Sequence, residues 1–130
     1  MLRSIPLVAV VAFALVATGC KKSHEGVAKD MVAKLQEMVN VLKTVKDKDS
    51  ASAAAPKLKA ISADMKELKK QADALGKPSE ADEKKMKADL QKPMMEAMGD
   101  MMKEMMRIQM AGITSPDFEA AMKEVSSSTN

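Results

Sequence analysis

The chain has 130 residues, with 21 Lys plus Arg against 18 Asp plus Glu, and a net charge of +3. So small an excess argues against a nucleic-acid protein, which carries a strong basic bias. Large apolar residues recurring at regular spacing argue against disorder. A composition led by Ala, Lys, Glu, Leu and Met, poor in glycine and nearly free of aromatics, reads as all-helical. The expected fold class is all-α: a three-helix bundle with a short fourth C-terminal helix, after an N-terminal signal peptide.

Arg3 opens the chain with a positive charge, and Ile5 to Val16 is an apolar run too short to span a bilayer. The small residues Ala17, Thr18 and Gly19 lead into Cys20, the chain's one cysteine. The ending Val16-Ala17-Thr18-Gly19-Cys20 resembles the lipobox of bacterial lipoproteins, with Ala17 where leucine is commoner. The resemblance implies that residues 1–19 are a cleaved signal peptide and that Cys20 is the lipidation site. It also implies that the new amino terminus is acylated. One acyl chain holds a protein only marginally, whereas two or more anchor it stably. In that family a lysine after the cysteine, here Lys21, implies sorting to the periplasmic face of the outer membrane. Residues 20–23 form a lipidated tether, and Lys21, Lys22 and Ser23 reach only about 10 Å when extended. The body is therefore expected close to the membrane surface, with Lys21 and Lys22 at headgroup level.

The helical bundle is expected over residues 24–125. The first helix is predicted from His24 to Lys46, with an apolar stripe of Val27, Met31, Leu35, Met38, Leu42 and Val45. The polar run Lys46-Asp47-Lys48-Asp49-Ser50 reads as a turn. In the second helix Leu58, Ile61, Met65, Leu68, Ala72 and Leu75 alternate steps of three and four. Ser50 or Ser52 is a candidate cap for it, Pro56 belongs in a first turn or at a kink, and Gly76 closes it. Two helices of similar length joined by a short turn make an antiparallel hairpin. Ser79, with Asp82 three residues on, opens a third helix with the stripe Met86, Leu90, Met94, Met98, Met101, Met105 and Ile108. Pro93 predicts a kink within it, and Gly112 ends it. Thr114-Ser115-Pro116-Asp117 restarts a short fourth helix carrying Phe118, Ala121, Met122 and Val125. Residues 126–130 are read as a disordered tail.

The hairpin of the first half loosely resembles that of cytochrome b562-type four-helix bundles, which bind haem through a methionine and a histidine. Met31 matches the methionine. The chain's one histidine, His24, precedes it, so no later helix supplies the second ligand and haem is not implied. No cofactor is expected. The same scarcity removes the Glu-x-x-His ligands of di-iron bundles and any Ser-His or Cys-His nucleophile. No catalytic residue is assigned.

The methionine cluster is the most unusual feature: Met94, Met95, Met98, Met101, Met102, Met105, Met106 and Met110. All but Met110 fall within about 160° of helical arc, with Glu96, Asp100, Lys103, Glu104 and Arg107 on the other side. The stripe continues Met86 and Leu90 into Ile108, so the face is expected to be core, with methionine as a flexible gap-filler. The alternative is a soft-metal site for Cu(I) or Ag(I) on Met94, Met98, Met101 and Met105, whose spacings bring thioethers together. A row of Lys59, Lys66, Lys70 and Lys77 lies opposite the stripe of the second helix and reads as a solvated face, flanked by Glu67 and Asp73. The functional expectation is a lipid-anchored, non-enzymatic envelope protein with a structural or adaptor role. Its partners would be the membrane, through the anchor, and an envelope protein or a second copy of itself, with no nucleic acid.

Overall fold

The computed structural model describes residues 22–129, all of whose regular structure is helical: α1 (His24–Lys43), α2 (Lys48–Leu75), α3 (Glu80–Met110) and α4 (Pro116–Thr129). The expected signal peptide and Cys20 lie outside the described residues.

Local chemistry sets the ends. The Ser23 side chain accepts the Gly26 N–H to start α1, and Ser79 accepts the Asp82 N–H to start α3. The turn after α1 lies earlier than the charged run suggests: α1 ends at Lys43, not Lys46, and α2 begins at Lys48, inside that run. Asp47 is the cap, not Ser50 or Ser52. Its carboxylate accepts the Ser50 N–H at 2.8 Å, and Ser50 Oγ accepts the Asp47 N–H at 2.9 Å, a reciprocal capping box. Pro56 consequently sits well inside α2 rather than in its first turn. At the end of α3, Gly112 turns at φ 65°. The Ile113 N–H then reaches the Ile108 carbonyl, and the Gly112 N–H the Gln109 carbonyl, which closes the helix in a Schellman motif. Ser115 caps α4 through the Phe118 N–H, with Pro116 in the first helical position.

The segment from Ser126, expected to be a tail, is helical through Thr129. Ser127 and Ser128 donate their hydroxyls to the carbonyls of Glu124 and Val125, and Ser128 is buried. The hydroxyls stay on the helix's own carbonyls and so do not unwind it.

α1 and α2 form the expected antiparallel hairpin. His24 Nε2 donates to the Gly76 carbonyl at 3.0 Å at one end, and Lys34 Nζ meets Asp64 at 2.9 Å midway. α3 runs parallel to α1: Lys85 pairs with Glu25 near the start of both, and Arg107 Nη2 donates to the Leu42 carbonyl near their ends. α4 turns back along α2, where Ser62 Oγ donates to the Glu124 carbonyl at 3.0 Å. α1 thus packs against α2 and α3, and α4 packs against α2, while the α3 and α4 backbones do not come together. The order across the bundle is α3–α1–α2–α4, and its fourth edge, between α3 and α4, stays open.

The core follows from that order. Val27, Leu35, Met38, Leu42 and Val45 are buried as the first stripe requires, and Met31 is half-buried. Val32 and Val39 are buried as well, on a second face that a helix with two neighbours needs. α2 buries Leu58, Ile61, Met65 and Leu68, and adds Ala51, Ala54, Ala55 and Ser62.

Two ion-pair groups join the helices. Lys34 lies between Glu37 and Asp64, which raise its pKa. Glu25 lies between Lys29 and Lys85, whose hydrogen bonds lower its pKa from 4.5 to about 2. A depressed carboxyl pKa contributes stability that is full above the unfolded value and lost as pH falls toward the folded one. The melting-temperature difference between the wild type and Glu25→Gln should therefore be constant above about pH 5. It should shrink as pH falls below 4.5 and vanish near 2, which thermal melts across an acid pH series would read.

Candidate functional site

The long methionine helix seats only part of the expected methionine stripe in the core. The buried side chains of α3 are Leu90, Ala97 and Ile108, with Met94 and Met101 packed partly against the same core. That line lies about 60° round the helix from Met98 and Met105. Met98 and Met105, expected in the core, are 48% and 41% exposed. Met95, Met102, Met106 and Met110 are more exposed still. The cause is the open edge. α1 covers one side of α3, and among the described residues no helix covers the next. Among the described residues, every large hydrophobic side chain that is exposed is a methionine of α3. Isolated apolar residues on a surface need no explanation, but six on one helix make a patch.

The open edge itself is a groove of about 670 Å³ between the end of α3 and α4. Its apolar wall is Met105, Ile108, Ile113, Phe118 and Met122, and Gln109, Glu119, Lys123 and Ser126 stand among them. The Schellman turn builds one side, since Ile113 and Ile108, joined by its long hydrogen bond, both face the groove. On the far side of α3 the methionines run Met95, Met102, Met106 and Met110, with Gly99 among them. Part of that strip forms a second, shallower depression with Lys103 and Arg107.

The charged side of α3 is mostly solvated, as the spacing suggests, with one exception. Glu104 is only 13% exposed and accepts the Arg107 Nε–H at 2.7 Å. Arg107 is thereby turned toward α1, where it meets the Leu42 carbonyl. His24 is a helix-start residue whose ring bonds the end of α2. That bond needs the proton on Nε2, because a carbonyl only accepts. Lys59, Lys66, Lys70 and Lys77 are exposed, with Lys70 near Glu67 at 3.9 Å.

The four methionines of the soft-metal alternative do not share one environment. Met94 and Met101 lean on the core, while Met98 and Met105 face outward. Among the described residues no group of three His, Cys, Asp or Glu side chains converges as a metal site, and no helix is long and apolar enough to cross a membrane. No protein-family model, curated protein or solved structure matches the chain.

The accessible patch and the core respond differently to truncation. Met102→Ala is expected to change stability by no more than about 0.5 kcal/mol, as for an unpacked surface site. Leu42→Ala, at a position with no exposure, should cost about 2–5 kcal/mol. Urea unfolding of both variants checks the pair, and equal costs would place Met102 in a packed environment.

Proposed function

We propose that the protein is a lipid-anchored, non-enzymatic adaptor of the bacterial envelope that receives an amphipathic helix of a partner protein in the open edge between α3 and α4. The observation that carries the reading is the concentration of exposed methionine on one helix beside an apolar groove. Methionine side chains are flexible and polarisable, and such surfaces adapt to apolar partners that differ in shape. A partner helix laid along α3 would supply the missing fourth edge and cover Met105, Ile113 and Met122, in the manner of helix-in-groove recognition. Glu119 and Lys123 on the rim offer one charge of each sign to fix its direction.

The anchor half of the reading rests on the lipobox-like ending at Cys20. In cells fed labelled palmitate, Cys20→Ala should abolish the label and shift the protein out of the membrane fraction. Undiminished label on the variant would refute lipidation at this residue.

The adaptor half is tested with a photo-cross-linking residue at Met105, and with Lys66 as a control on the exposed back of α2. Cross-links to an amphipathic helical segment are expected at Met105 and not at Lys66. Equal capture at both positions would defeat the groove reading.

A second reading, soft-metal binding, draws on the accessibility of Met98 and Met105 and on neighbours such as Met102 one turn away. Stoichiometric Cu(I) uptake that Met98→Leu with Met105→Leu removes, with no change in cross-linking, would favour it over the adaptor.

A further inference from the structure

The strip formed by Met95, Gly99, Met102, Met106 and Met110 lies on the side of α3 roughly opposite Leu90, Ala97 and Ile108, and faces away from the rest of the bundle. Gly99 is its anomaly. Glycine inside a helix is destabilising relative to alanine, and is kept where a backbone must be approached closely. Nothing among the described residues makes that demand, because a Cβ at Gly99 would meet none of their atoms within 4 Å.

The charges beside the strip bear on what could approach it. Glu96 and Lys103 lie on the same flank of it, about 20° apart round the helix. Lys103 has no ion-pair partner among the described residues, and Glu96 has only Lys92, at 4.0 Å. When two identical helices pack antiparallel about a two-fold axis, equivalent flanks face each other. With the axis between Gly99 and Asp100, Glu96 of each copy falls opposite Lys103 of the other, twice over. The same register drops Met95 of one copy between Met102 and Met106 of the other, as a knob between two holes. The two glycines then stand at the centre, where the helices come closest. A parallel pairing would instead set the charged flank against the side carrying Met98 and Met105. Lys92 and Arg107 also fall opposite in the antiparallel register, but the Arg107 guanidinium is already engaged by Glu104 and the Leu42 carbonyl.

We infer that this face binds a second copy of the chain, α3 against α3, antiparallel across Gly99. The inference shares with the adaptor reading the view that the α3 methionines are an interaction surface, but it uses the face opposite the core and not the groove.

The experiment mixes unlabelled and heavy-isotope full-length chain, treats the mixture with a zero-length carbodiimide, and maps the cross-links by mass spectrometry. Sedimentation gives the mass across a concentration series. The expected result is a heavy–light amide between Glu96 and Lys103 together with a concentration-dependent dimer. Gly99→Leu should weaken the dimer by at least about tenfold while the helical signal is kept, since the added side chain enters open space within one copy. Glu96→Lys should weaken it, and adding Lys103→Glu should restore it. A monomer at all concentrations overturns the inference. So does a dimer indifferent to Gly99→Leu and Glu96→Lys, or a cross-link map without the heavy–light Glu96–Lys103 pair. Each of those outcomes leaves photo-capture at Met105 to decide the adaptor reading separately.

Discussion

The arrangement depends on α1 being packed on two sides at once. Met38 and Leu42 are fully buried in its middle and last turns, with α2 along one side and α3 along the other. α2 likewise has two helical neighbours, α1 and α4, whereas α3 and α4 have one each among the described residues. Among the described residues α3 has no helical neighbour except α1, so the ion pair at Glu25 and the Arg107 bond to the Leu42 carbonyl fix its direction as well as its position. Exposed pairs of this kind contribute little energy, and their value here is register. The burial of Leu90, Ala97 and Ile108 supplies the attraction.

On the other flank the bundle closes through small residues. Ala51, Ala55 and Ser62 share one face of α2, and Ser62, with no exposure, spends its hydroxyl on the Glu124 carbonyl of α4. A larger residue at 62 would push α4 outward, and a purely apolar one would give up the bond that sets its height. α4 has 14 residues against 31 in α3, so even a perfect seat on α2 leaves most of the α4-facing side of α3 uncovered by any described helix. The open edge is therefore a consequence of unequal helix lengths and of an odd division of partners, not of a defect in packing.

Much of this was legible in the residues. Ser79, Ser115 with Pro116, Gly76 and Gly112 mark helix ends because capping chemistry is local, and the stripes of α1 and α2 state their inward faces. What escaped was decided by neighbours. Val32 and Val39 look like spare apolar positions until α1 is known to have two partners. The inward line of α3 runs through Ala97, whose single methyl announces nothing, while the methionines beside it are apolar whichever way they point. Periodicity gives the width of an apolar face but not which part of it is covered, and here the uncovered part is the candidate site. Asp47 was hidden inside a charged run that resembles a turn, although Asp47 and Ser50 at that spacing are a capping-box signal. Ser126 to Thr129 has the composition of a tail and the hydrogen bonding of a last helical turn.

The identity of the exposed atoms has a chemical consequence. Leucine on such a surface would be inert, but a thioether is oxidised to the sulfoxide, which turns an apolar side chain into a polar, chiral one. Oxidants reach side chains in order of exposure. Met110, at 84%, stands first, whereas Met38 and Met65, at 0% and 5%, are shielded by the core. An oxidising environment therefore alters the outer face of α3 while leaving the bundle that carries it intact. The protein's stability and the stickiness of its surface are thus chemically separable, and methionine sulfoxide reduction would reverse the change without refolding the chain.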